Sequence, residues 1–213
     1  MSKPLPLHET ATRYWWIRHA PVTHLKHVMY GSEDVEADVS DTARFSQLAG
    51  ALPAQAIWYT SHLQRTHQTA DAVAGAGLDC RERLTSELIG EMDFGDMTGK
   101  THRQLIDERD DPFIGFWPVS PLQTEIPGGE SFADVVHRVG QFMEHCNALH
   151  RGEDVICYSH MGTILAALSV ALELPEQSRV SMSIDNLTIT RIHHYPGLLP
   201  SAPRYRVYQM ASR

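Results

Sequence analysis

The sequence predicts an α/β fold built on an open sheet, and three observations predict it. Three segments, "YWWIRH" (14–19), "AIWYTSH" (56–62) and "DVICYSH" (154–160), each run from a short stretch rich in aromatic or β-branched residues into a polar, reactive group. The last two are followed at once by helical periodicity, "RTHQTADAVAGAGL" and "MGTILAALSVALEL". Strand, polar turn and helix in repetition make an α/β sheet, whose ligands bind outside the carboxyl ends of the strands. Arg18 and His19 therefore stand where such a sheet builds its site.

The remaining elements follow in order. "SDTARFSQLAGAL" (40–52) has the spacing of an amphipathic helix opened by a capping residue. The helix from Arg65 stops at Gly75 and Gly77, and "CRERL" (80–84) reads as a short strand. From Thr101 to Gly129 the chain reads as a short helix and then an irregular cover, because "DERDDPFIGFWPVSP" and "PGG" break any period. A long helix over "SFADVVHRVGQFMEHCNALH" (131–150) follows, and the helix from Met161 ends before Pro175. "SMSIDNLTITRIHH" and "RYRVYQM" alternate like antiparallel strands about a turn near Pro196 and Gly197.

Bulk properties narrow the function. At 213 residues, 42% apolar and 21% charged, the chain fits one globular domain over 1–213 with a lid-like segment at about 101–129. Its 18 basic and 26 acidic side chains give a net charge of −8, the wrong sign for binding nucleic acid. Cys80, Cys146 and Cys157 show no CxxC spacing, and "MSKPLPLHET" lacks the apolar run of a signal peptide, which points to a reducing cytoplasm. "ILAALSVALEL" is too short and too polar at Ser169 and Glu173 to cross a bilayer, so no membrane partner is expected.

The motifs "RHA", "SHLQRTHQTA", "EMDFGDMTG", "PGGES" and "SHMG" resemble, in order and spacing, the signature blocks of the histidine phosphatase superfamily, the phosphoglycerate mutase-like proteins. The resemblance runs from Arg13 to Leu172 and, in character, comes nearest to the α-ribazole phosphatase type. It implies a three-layer αβα sandwich with a mostly parallel central sheet. It also implies roles: His19 as the nucleophile that forms a phosphohistidine, Arg18, Arg65 and His160 as the phosphate pocket, and Glu91 as the proton donor.

The chemistry of the residues supports those roles. A phosphoryl group in transfer needs positioning and cationic stabilisation of its equatorial oxygens, and two guanidiniums supply both without losing charge. An imidazole attacks phosphorus only when neutral, with its other nitrogen donating to an acceptor. The leaving alkoxide needs a proton from a carboxyl of raised pKa. Glu91 is the candidate, with Glu87 and Asp93 near it in sequence. The helix starts after Ser61 and Ser159 would add N–H groups to the anion site. The scheme requires no metal and no cofactor.

Other signals carry less. His62 reads as a rim residue, Ser159 as a turn or cap residue, and Glu130 and Ser131 as the cap of the helix that follows them. Paired histidines at His24 and His27, or His193 and His194, lack an ordered partner set for a metal. "GDMTGKT" is one residue short of a phosphate-binding loop, and Cys146 to Arg151 is one short of the cysteine phosphatase loop. Ala20, Pro21 and Val22 replace the family's usual glycine, variable residue and hydroxyl, so the turn must use a backbone that alanine and proline allow, with Thr23 as the substitute hydroxyl. Met161 replaces a common glycine.

The expected partner is a small phosphomonoester, with α-ribazole 5'-phosphate as a candidate and a homodimer as the candidate assembly. In the 101–129 segment Arg103 and Arg109 are outnumbered by Asp107, Glu108, Asp110, Asp111 and Glu125, which favours hydrolysis over a mutase's doubly phosphorylated cofactor. Phe113, Phe116 and Trp117 there read as core or as a platform for a heteroaromatic group. The alternatives are a mutase-type phosphotransferase and a phosphoester-binding protein without catalysis.

Overall fold

A computed structural model describes residues 10–25, 27–109, 126–175, 182–196 and 204–211. Six strands form one sheet in the order β3-β2-β4-β1-β5-β6. They are β1 (Thr12–Arg18), β2 (Ile57–Thr60), β3 (Glu82–Thr85), β4 (Asp154–Ser159), β5 (Ile189–His194) and β6 (Tyr205–Ala211). The first four are parallel, with Arg18 level with Ser159 and Thr60 level with Tyr158, so three strands end on one line. β5 runs antiparallel to β1 and β6 antiparallel to β5, the pairing read from the tail.

Side chains alternate across β1, which makes the sheet the middle of three layers. Tyr14 and Trp16 face a core shared with α4 (Phe132–Leu149) and α5 (Met161–Leu172) through Phe142, Met143, Ile164 and Leu165. Ile17 faces the other core, with Phe45 and Leu48 of α1 (Thr42–Ala51) and Val73 of α2 (Gln64–Gly75). Trp16 and Trp58 are fully buried in these two layers.

Local signals set the ends of the helices. Asp41 accepts from the Arg44 N–H at the start of α1. At the start of α4, Ser131 accepts from the Asp134 N–H while the Asp134 carboxylate accepts from the Ser131 N–H. Removing that cap would cost about 1 kcal/mol. α5 ends three residues before Pro175, where Glu173 takes a left-handed turn and donates its N–H to Ser169. β3 begins two residues later than "CRERL" because its register places Glu82 beside Ile57.

The short helix read after Thr101 is α3 (His102–Arg109), held to the core by Leu105. Residues 110–125, with Phe113, Phe116 and Trp117, and the turn residue Gly197 lie outside the described residues. A clip joins the start of this segment to the loop after β1: Met29 donates to the Lys100 carbonyl and Gly99 to the Met29 carbonyl. Among the described residues no helix is long and apolar enough to cross a membrane.

Candidate active site

The candidate site residues gather at the carboxyl ends of β1, β2 and β4, as the sequence pattern predicts. His19 follows β1 directly and is almost fully buried. Its N–H donates to the Ser159 carbonyl at 2.9 Å, and its own carbonyl accepts from Asn186 Nδ2 at 2.7 Å. The ring nitrogen Nδ1 lies 2.7 Å from the Ala20 carbonyl, which only accepts, so Nδ1 carries the proton and Nε2 keeps its lone pair. Burial, with Arg65 and Arg18 close by, holds the imidazole pKa well below its usual 6.5, and the ring stays neutral at pH 7.

Ala20 and Pro21 fit the turn because neither needs a positive φ. Ala20 donates its N–H to Thr69 Oγ1 at 2.9 Å. Thr23 is exposed, so the hydroxyl that supports this turn is Thr69, one helix away.

Arg65, from the first turn of α2, is fully buried, and three of its donors are taken. Nη1 donates to the Glu33 carbonyl at 2.6 Å, Nη2 to the Gly31 carbonyl at 2.7 Å, and Nε to His160 Nδ1 at 3.2 Å. One N–H on each Nη remains for a ligand. Arg18 donates Nη1 to the Ile184 carbonyl at 2.6 Å, while its buried Nε has no partner among the described residues. Both guanidiniums thus hold donors in reserve beside His19.

His160 caps α5 in sequence position, and both ring nitrogens are engaged. Nδ1 accepts from Arg65, so Nε2 carries the proton and donates to Ser61 Oγ at 2.8 Å. Burial and Arg65 hold its pKa well below 6.5. In this arrangement the ring acts on the pocket through the orientation of Arg65, and Ser61 fixes the ring.

Glu91 follows a 3-10 turn, Glu87–Ile89, after β3. Its Oε1 accepts from its neighbour Met92 N–H at 3.0 Å and from Gly162 N–H at 3.1 Å. Desolvation raises its carboxyl pKa above the usual 4.5, against the pull of the Met92 N–H and of Arg65, Arg18 and Arg138. Glu87 is exposed, and Asp93 is occupied by the Gly95 N–H at 2.8 Å. Glu91 is the carboxyl that faces the pocket.

Each of the two helix starts has one N–H already engaged by the chain itself. The first turn of α5 gives its Gly162 N–H to Glu91, and the first residue of α2 gives its Gln64 N–H to Asp34 Oδ1 at 2.6 Å. Both helix ends serve the chain's own carboxylates, which already complement the positive end of the helix. Ser159 is also not a cap: it ends β4, and its hydroxyl donates to the Ile89 carbonyl at 2.9 Å. His62 is exposed beside Gly90. Glu130 leaves the helix cap to Ser131 and pairs with Arg138 instead, Nε to Oε1 at 2.8 Å.

Several neighbours escaped the sequence reading. Tyr30 sits with its ring 5.2 Å from the Arg65 guanidinium. Its phenol pKa is raised by burial against the opposing pull of Arg18 and Arg65. Asn186 lies outside every signature block, and Thr69 and Gly162 lie inside two of them without a role that the motif alone gives. A glycine in the first turn of a helix behind a strand-end histidine was the available hint, because a Cβ at Gly162 would stand 2.6 Å from Glu91 Oε1. Cys146 is buried within α4, away from any phosphate loop. Among the described residues no group of three or more His, Cys, Asp or Glu side chains is placed to hold a metal.

Comparison with known proteins bears on the fold and the family. Residues 14–200 match the histidine phosphatase superfamily, branch 1. Phosphoserine phosphatase 1 of Hydrogenobacter thermophilus is 30% identical over 135 residues, 63% of this chain and 63% of its own length. The chain spans less than two thirds of the length of the first curated relatives that it matches. A mycobacterial glucosyl-3-phosphoglycerate phosphatase superposes with a TM-score of 0.76 at 22% identity, covering 92% of this chain and 97% of that one. The α-ribazole phosphatase of Shigella flexneri gives 0.73 at 20% identity, covering 94% and 96%. Mixed sheet, three layers and matched signature blocks agree, and the chain belongs to the histidine phosphatase superfamily.

Proposed function

We propose that this protein hydrolyses small phosphomonoesters through a phosphohistidine. The observation that carries the reading is the fixed tautomer of His19: a buried neutral ring with its proton on Nδ1 and its Nε2 lone pair free, beside two guanidiniums with unused donors. Nε2 attacks phosphorus as the ester P–O bond breaks, and Arg18 and Arg65 stabilise the equatorial oxygens. Glu91 gives its proton to the departing alkoxide. Water then attacks the phosphohistidine, Glu91 takes a proton from it, the N–P bond breaks, and phosphate leaves.

Phosphoserine, glucosyl-3-phosphoglycerate and α-ribazole phosphate, from the names of its relatives, share the phosphoryl group and differ elsewhere. That common part is what the pocket is built to hold. α-Ribazole 5'-phosphate remains our candidate for the physiological substrate.

The test is phosphate release from 4-nitrophenyl phosphate and from a panel of phosphoserine, α-ribazole 5'-phosphate and 3-phosphoglycerate, with a chelator present and with His19→Ala in parallel. Release that the chelator spares and the variant loses supports the reading. Isomerisation of 3-phosphoglycerate without release would replace it by a mutase, and a folded protein without turnover would leave a binding protein.

A further inference from the structure

Four successive carbonyls in front of the pocket are held by side chains. Arg138 Nη1 donates to Leu88 O at 2.8 Å and to Gly90 O at 3.0 Å, and Nη2 to Glu91 O at 3.2 Å. Ser159 Oγ takes Ile89 O, and Thr163 Oγ1 adds a second bond to Gly90 O. Arg138 is itself fixed by Glu130, whose Oε1 accepts from Nε at 2.8 Å and whose Oε2 accepts from Nη2 at 3.0 Å. The same Oε2 accepts from the Asp93 N–H at 3.0 Å, beyond the far end of the turn. Gly129, just before Glu130, approaches so closely that a Cβ there would stand 2.5 Å from the Asp93 carbonyl.

A loop of irregular backbone has no ladder to satisfy its carbonyls, so its shape is set by whatever donors reach it. Here one planar guanidinium reaches three of them, which a lysine's point charge cannot match. Arg138 stands in α4, outside the phosphate pocket, with its side chain only 16% exposed.

We infer that Arg138, braced by Glu130, is the positioning residue that sets the Glu91 carboxyl for proton transfer to the leaving group. The inference rests on Glu91 as the general acid, and the experiment separates the two. Steady-state kcat/KM ends at departure of the first product, so comparing phenyl phosphate with 2,4-dinitrophenyl phosphate isolates the need for a proton. The acidic dinitrophenol leaves without one.

Glu91→Gln should lose far more on phenyl phosphate than on the dinitrophenyl ester, and Arg138→Gln should copy it. Its excess loss should be about ten-fold, part of the roughly 10²–10⁴ that a general acid supplies. Arg138→Lys should not restore the wild-type ratio, and adding Arg138→Gln to Glu91→Gln should not enlarge the excess. Equal loss on both esters in Arg138→Gln, with discrimination kept in Glu91→Gln, would overturn the positioning role alone. Equal loss in Glu91→Gln would overturn the acid reading and the inference with it. If Arg138→Gln does not fold, Glu130→Gln gives the same comparison, since it removes the brace and leaves the guanidinium.

Discussion

The rings of His19 and His160 lie 5.1 Å apart between centroids, tilted by 55°. The two imidazoles come from the ends of adjacent parallel strands, and opposite hydrogen bonds fix opposite tautomers: Nδ1–H on His19 and Nε2–H on His160. Only His19 keeps a lone pair for attack. His19→Ala should therefore abolish the acid-labile phosphoenzyme, whereas His160→Ala should form it slowly; quenched-flow trapping with radiolabelled substrate checks both. A phosphoenzyme in His19→Ala would contradict the assignment.

The pH dependence follows from two shifts of opposite sign. His19 must be neutral, and its lowered pKa puts the acid limb of kcat/KM well below pH 6.5. Glu91 must be protonated in the free enzyme, and its raised pKa puts the basic limb above the ordinary carboxyl value of 4.5. The profile should be bell-shaped, with its acid limb set by His19 and its basic limb by Glu91. Glu91→Gln should remove the basic limb, and a profile unchanged in that variant would exclude Glu91 from the step.

Stability should depend on pH for the same reason. The unfolded chain binds protons at His19 and His160 near pH 6.5, and the folded chain, with both pKa values lowered, does not. Stability is full above pH 6.5 and is lost as the pH falls below it, by about 1.4 kcal/mol per pH unit for each ring. Denaturant midpoints from pH 7.5 to 5.5 should fall more steeply in wild type than in His19→Asn.

Gly162→Ala tests the contact between α5 and the acid. The added Cβ would stand 2.6 Å from Glu91 Oε1, while the backbone of the helix suits alanine better than glycine. The expected result is a folded protein, seen by circular dichroism, with kcat reduced by about ten-fold or more because the carboxyl is pushed aside. Wild-type rates would mean that the Gly162 N–H contact does not matter.

Most of the architecture could be read from periodicity because Tyr14, Trp16 and Ile17 declare both faces of β1 by alternation, and because Gly75 and Ser131 mark a helix stop and a helix start. The bunching of His19, Arg65 and His160 could be read because each sits just past a strand or at a helix start, whereas Glu91, which follows a 3-10 turn, is legible only through the signature block that holds it. What escaped was second-hand: Arg138 and Thr163 act on backbone carbonyls, and a carbonyl leaves no trace in the residue type that carries it. The partner of the Gln64 N–H is not legible in the sequence because Asp34 lies 30 positions before it.

β1 and β4 are neighbours at the middle of the sheet, flanked by β2 and β5, and they carry His19 and His160 at their tips. Central strands exchange their amide hydrogens only when the whole domain opens. Heat should therefore not part the two imidazoles ahead of melting: the amides of Trp16 and Cys157 should lose their exchange protection at the temperature where the far-ultraviolet signal collapses.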